Sequence, residues 1–214
     1  MEIFPSLISA DILNLEKVVK SLDPHCNGYH IDVMDDHFVP NLTWGPMFVN
    51  AIKKNTNLPL HVHLMVDNPL VWIDRVLLSQ KDIFIFHVEV FNDHQRMENL
   101  IQDVKNKGWS VGVAVNPKTD IKLVFDYLKD LDHVLIMSVE PGFSGQKFIQ
   151  NVITKIEPLI KKRSELNLSF KIGMDGGIGT ENIRKLLEMG VDQFGIASAI
   201  FSKKDPVKAL QELG

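Results

Sequence analysis

Cysteine is nearly absent from this chain. Cys26 is the one thiol in 214 residues. A lone cysteine makes no internal disulfide and no thiolate cluster, so it reads as a free thiol in a reducing compartment. A basic excess is absent too: 23 Lys and Arg stand against 27 Asp and Glu, a formal net charge of −4. Nucleic acid selects a clearly basic face, and this balance argues against such a partner. No stretch approaches the ~18 uninterrupted apolar residues of a membrane span. The opening MEIFPSLISAD lacks the basic and then long apolar order of a signal peptide. The expectation is a cytoplasmic protein with no membrane partner. No linker or low-complexity tract interrupts the chain, so residues 1–214 are expected to form one domain.

What is present is a repeating alternation. Short apolar runs of strand length cover 3–9, 28–34, 59–65, 82–88, 110–115, 133–139, 170–175 and 193–198. Between them, 14–22, 69–79, 94–108, 120–131, 148–166 and 180–190 carry apolar residues at helical spacing. Gly108 and Gly190 fall where helices stop at a positive φ. Strand–helix alternation implies parallel strands joined by right-handed crossovers. Eight such units predict an α/β fold, a closed (β/α)8 TIM barrel with lean loops. An open sheet of the same units is the competing architecture. It is weakened because no GxGxxG turn follows the first strand.

Chemistry in this barrel belongs at the C-terminal ends of the strands, and that is where the odd polar residues fall. Side chains on a strand alternate with period two. His30, Asp32 and Met34 therefore share one face of the second strand, and His61, His63 and Met65 one face of the third. Asp175 ends the seventh. A lone strand histidine is more often a hydrogen-bonded core residue than a ligand, and a lone strand-end aspartate is more often a helix cap. Together at one mouth, two imidazoles and two carboxylates make a four-ligand set. It suits Zn²⁺ or Fe²⁺, with Mn²⁺ or Co²⁺ also accommodated.

Three glycine-bearing stretches follow adjacent strands: EPGFSGQK (140–147), DGGIGT (175–180) and GIASA (195–199). Glycine lets backbone N–H groups approach an anion closely, and the loops after strands seven and eight are this barrel's usual phosphate cradle. A metal, two carboxylates and a phosphate site define a reaction class. One carboxylate removes a proton beside a metal-polarised carbonyl, and the enediolate is stabilised by the ion. Return of a proton to the opposite face by the second carboxylate inverts the centre. A barrel that binds a phosphorylated ligand without turnover is the non-catalytic alternative.

The whole chain also resembles a known family, the ribulose-phosphate 3-epimerases. The resemblance runs through PSLISAD (5–11), HIDVMD (30–35), FVPNLT (38–43), HLMV (63–66), NPKT (116–119), IMSVEPGFSGQKF (136–148), MDGGI (174–178) and ASAIF (197–201). It implies inversion at C3 of a ketopentose 5-phosphate, ribulose to xylulose, with one divalent ion per subunit in a homo-oligomer. It implies His30, Asp32, His63 and Asp175 as metal ligands, with Asp32 and Asp175 as the acid/base pair. Substrate contacts are implied at Ser6 and at a methionine cage of Met34, Met65 and Met137. The resemblance also assigns Gly142, Phe143, Ser144 and Gly145 to a covering loop, and Gly176, Gly177, Ala197 and Ser198 to the phosphate cradle. Three positions depart from the family pattern. Asp36 stands in place of a glycine, His61 in place of an aspartate, and Ala197 in place of a glycine. A C3 epimerase of a related ketose phosphate, such as allulose 6-phosphate, is the alternative those departures raise.

Overall fold

The computed structural model describes residues 1–214. Its centre is one eight-stranded parallel sheet. The strands are β1 (Glu2–Pro5), β2 (Tyr29–Met34), β3 (Leu60–Met65), β4 (Ile83–His87), β5 (Ser110–Val115), β6 (His133–Met137), β7 (Lys171–Asp175) and β8 (Gln193–Ile196). They pair in the order β1-β8-β7-β6-β5-β4-β3-β2. A parallel bridge between Ser6 and His30 brings the two ends of that order together. The result is the expected (β/α)8 barrel, its seam held by two residues of the site.

The strands read as near-continuous apolar runs because both faces are buried. Outward residues such as Ile31, Val62, Phe84, Val113, Ile136 and Phe194 join the large core between barrel and helices. Inside the barrel, Ile83, Ile85, Ala114, Leu135 and Met137 form a smaller core of their own. Five histidines share that interior, His30, His61, His63, His87 and His133, all at most 2% exposed.

Seven α-helices surround the sheet: α1 (Leu15–Leu22), α2 (Pro46–Asn55), α3 (His94–Asn106), α4 (Ile156–Glu165), α5 (Ile183–Glu188), α6 (Ser198–Phe201) and α7 (Pro206–Leu213). Their starts have local causes. Asp93 accepts from the Gln95 N–H at the head of α3. Asp205 accepts from Lys208 ahead of Pro206 in α7. Gly108 and Gly190 have φ of 76° and 96°, as the helix-stop reading requires.

Several elements differ from the sequence expectation. The run 3–9 holds a strand only to Pro5; Leu7–Ser9 is a 3₁₀ turn. Its apolar residues diverge there, Leu7 joining the outer core while Ile8 packs on Met34 and Met65 at the mouth. The stretches 69–79 and 120–131 form only 3₁₀ turns, at Pro69–Trp72 and Ile121–Tyr127. Burying Ile73, Val76, Val124 and Leu128 needs helical spacing of side chains but no full α-helix. Helix α2 supplies the crossover between β2 and β3 that the spacing reading leaves blank, and α7 follows the last strand.

Candidate active site

The ladder between β2 and β3 pairs His30 with His61, Asp32 with His63, and Met34 with Met65. This register sets Asp32 directly beside His63 on the inner face. On the far side of the barrel, Asp175 of β7 pairs with Met137 of β6 and Gly195 of β8. The inner faces bring one ring nitrogen from each of two histidines onto the two carboxylates.

His30 Nε2 lies 3.1 Å from Asp32 Oδ1 and 3.2 Å from His63 Nδ1. His63 Nδ1 lies 3.0 Å from the same Asp32 oxygen. Asp175 Oδ2 stands 3.8 Å and 3.9 Å from the two ring nitrogens. One donor atom from each of the four residues falls within 4.8 Å of every other. A tetrahedral ion with bonds of 2.0–2.1 Å has donor–donor edges of about 3.3 Å. The five edges that involve a histidine nitrogen, 3.0–3.9 Å, are the right size for a divalent ion, and the mixed N/O set is one that such ions accept. The residues fit a metal.

Burial penalises charge on all four groups, and neighbours overturn it at two of them, His30 and Asp32. At His30 the Asp32 and Asp175 carboxylates outweigh burial and raise the imidazole to about 9. At Asp32 burial is opposed above all by the His30 charge, which holds the carboxyl well below its usual range. Burial prevails at His63, lowered to about 3. Burial also raises Asp175 to about 7, and the Asp32 charge adds to it. The two carboxyls are pushed apart, one ionised and one holding its proton near neutrality.

A cleft opens above these donors. Asp32 and Asp175 reach its floor, whereas His30 and His63 lie beneath it, fully buried. Ser6 lines the cleft, and its hydroxyl donates to Asp32 Oδ2. Met34, Met65 and Met137 form the walls. Gly142, Phe143, Ser144 and Gly145 line the β6 side, and Gly176, Gly177, Ala197 and Ser198 the β7–β8 side. Every substrate contact expected from the sequence thus borders one cleft. Gly176 and Gly177 have φ of 109° and 61°, which lets the backbone double back at the β7 end. A Cβ on Gly177 would stand 2.6 Å from the Phe148 backbone nitrogen.

A sequence profile described as the ribulose-phosphate 3 epimerase family matches residues 2–201. The chain belongs to the ribulose-phosphate 3-epimerase family. Its relatives include the ribulose-phosphate 3-epimerase of Bacillus subtilis, 36% identical across 100% of this chain and 98% of the relative. That of Treponema pallidum is 37% identical across 92% and 90%. Solved barrels of the same shape include a 3-hexulose-6-phosphate synthase from Salmonella typhimurium, 17% identical, with a TM-score of 0.67 over 100% of this chain and 96% of that one. At that identity the likeness concerns the fold alone.

Within the epimerase family, the three departures find distinct places. Asp36 adopts φ 60° and donates its N–H to the Asn41 carbonyl at 2.9 Å, in an exposed turn outside the cleft lining. An aspartate tolerates that left-handed conformation better than most residues. His61 lies one layer below His63, its ring stacked 3.5 Å from Phe4. Burial pushes it well below the usual imidazole range, and no hydrogen bond joins it to His30 or His63. Ala197 borders the cleft beside Ser198.

Some supporting residues escape the sequence reading. Thr43 accepts from the Met34 N–H and donates to the Asp32 carbonyl. Ser138 donates to the Asp175 and Gly176 carbonyls, fixing the end of β7. Asn41 donates to the Gly142 carbonyl at 2.7 Å, and Ser9 meets Ser144 at 2.6 Å, holding the β6 loop over the cleft. His87 at the end of β4 touches His63, and Glu89 touches His87. The HVE stretch at 87–89 carries the same strand-end polar signal that marks His63.

Proposed function

We propose that this protein is a metal-dependent epimerase that inverts C3 of D-ribulose 5-phosphate to give D-xylulose 5-phosphate. The observation that carries the reading is the convergence of two carboxylates and two imidazoles at one cleft floor, in a chain of this family. His30, Asp32, His63 and Asp175 hold one divalent ion, with Zn²⁺ or Fe²⁺ the best matches to the donors. When bound, that ion polarises the C2 carbonyl and stabilises negative charge on the enediolate oxygens.

The residues do the remaining work. The phosphate sits against the Gly176–Gly177 and Ala197–Ser198 backbone, which sets the distance of C3 from the cleft floor. The ionised Asp32 carboxylate removes the C3 proton from one face. Asp175, across the cleft floor from Asp32, delivers a proton to C3 from the other face. The product leaves inverted, with Asp32 protonated and Asp175 ionised, and proton exchange with water restores both. Ser6 orients Asp32 through its hydroxyl. Met34, Met65 and Met137 surround the planar intermediate with soft apolar contacts, and the loop of Gly142, Phe143, Ser144 and Gly145 excludes water.

The test is direct. Metal-loaded protein is given ribulose 5-phosphate and, separately, allulose 6-phosphate. Formation of xylulose 5-phosphate with the higher kcat/KM for the pentose supports the reading. Turnover of the hexose alone would transfer the assignment to the longer sugar. Failure to turn over either, with ion and sugar phosphate bound, would leave a binding barrel.

A further inference from the structure

The row of side chains behind His63 does something the four-ligand set cannot do alone. His63 Nε2 and His87 Nε2 are 2.8 Å apart, a hydrogen-bond distance that needs one proton between them. The two rings meet edge to edge, their planes 27° apart and their centroids 5.0 Å apart, and both are fully buried. On the far side of His87, Nδ1 lies 3.1 Å from Glu89 Oε2. The other Glu89 oxygen, Oε1, accepts from the Asn116 backbone N–H at 2.7 Å.

Donor and acceptor roles then follow in order. A carboxylate engaged on both oxygens is an acceptor only, so His87 carries its proton on Nδ1. A neutral His87 then offers a lone pair at Nε2. His63 must donate to it from its own Nε2, which leaves His63 Nδ1 unprotonated. That atom is the one facing Asp32 and His30. We propose that Glu89 and His87 are positioning residues that lock His63 in the Nε2–H tautomer, so that Nδ1 presents a lone pair to the ion. The inference rests on the metal-centre reading above. His30 has no equivalent chain, because its Nδ1 finds no partner. One candidate ligand is therefore set in advance and the other is not.

Glu89→Gln reverses the chain with little change of shape. The Asn116 N–H still requires the side-chain oxygen, so the amide NH₂ is turned toward His87. It donates to His87 Nδ1, His87 donates to His63 Nε2, and the His63 proton is driven onto Nδ1, against the ion. The experiment is long-range ¹H–¹⁵N NMR of the metal-free full chain with ¹⁵N-labelled histidine. The His63 signals are assigned by their loss in His63→Gln, and Zn²⁺ affinity is measured by competition alongside. The expected result is the Nε2–H tautomer in the unaltered protein and the Nδ1–H tautomer in Glu89→Gln. Zn²⁺ affinity should be reduced about 10–100-fold in that variant, the usual cost of losing a ligand's outer partner. Glu89→Asp, which keeps an acceptor-only group, should restore part of the affinity. An Nδ1–H or doubly protonated His63 in the unaltered protein would overturn the proposal. So would a Glu89→Gln variant that keeps both tautomer and affinity. Tautomer reversal in a protein that never binds Zn²⁺ would support the chain and refute the metal-centre reading instead.

Discussion

Gly195 is the position where one methyl group tests the site most sharply. It pairs with Asp175 across β7 and β8. A Cβ built there lies 2.8 Å from Asp175 Oδ1 and 3.2 Å from its Cγ. Non-bonded carbon–oxygen contacts relax at about 3.3 Å or more, so in Gly195→Ala the carboxylate retreats by roughly 0.5 Å. Metal bonds tolerate only about 0.2 Å of error, and a 1 Å misplacement of a reacting group costs about 10²-fold in rate. A tenfold fall in kcat is the floor of the expected effect, with weaker Zn²⁺ binding beside it. Gly112→Ala is the control. Its Cβ would stand 2.7 Å from Ile85 Cγ1, in the same barrel interior but against the apolar core. That variant should lose stability while its metal affinity holds. Thermal unfolding, metal competition and a coupled epimerase assay on both variants give the answer. A Gly195→Ala protein with kcat and Zn²⁺ affinity within twofold of the parent would refute the placement of Asp175 at the reacting centre.

Three other outcomes are expected. Asp32→Asn removes the base and one ligand charge, so kcat should fall at least about 10³-fold with far-UV circular dichroism unchanged; turnover at the parent rate would dismiss Asp32 as an acid/base group. His63→Ala should abolish tight stoichiometric Zn²⁺ binding, checked by competition titration, and tight binding surviving the change would remove His63 from the ligand set. Asp35 accepts from the His37, Phe38 and Asp67 backbone N–H groups, tying the β2 loop to the β3 loop. Those bonds prevail over burial and hold its carboxyl below its ordinary value of 3.8. The folded state then binds fewer protons than the unfolded one, so this stability is present above pH 3.8 and lost as pH falls through the lower folded value. Asp35→Asn should cost about 1–3 kcal/mol at neutral pH and flatten the acid limb of the stability profile; an unchanged acid limb would contradict the assignment.

The barrel was legible in the sequence because parallel strands buried on both faces must be apolar runs, and eight of them recur. The centre was legible for a different reason. His30, Asp32, His63 and Asp175 are costly in a strand interior unless paired, so their period-two placement stands out against Ile31, Val33, Val62 and Leu64. The mixed fate of the connecting segments was harder to see. Helical spacing of Ile73 and Val76, or of Val124 and Leu128, records only which side chains are buried. A 3₁₀ turn satisfies the same record. His87 and Glu89 escaped because a single strand-end HxE has no second carboxylate beside it in sequence. Its partner, His63, is 24 residues away and is supplied by the parallel pairing of β3 with β4. Asp36 shows the converse case, a carboxylate that stands out beside Asp35 in the sequence but sits at φ 60° in an exposed turn outside the cleft lining.

The central claim is proton transfer at C3 by two carboxylates on opposite faces. Proton NMR of the metal-loaded protein turning over ribulose 5-phosphate in D₂O tests it most directly. Xylulose 5-phosphate carrying deuterium at C3 is the expected product, because the proton that Asp32 removes exchanges with solvent and Asp175 delivers a different one. Inverted product that retains its original C3 proton through complete turnover would contradict it.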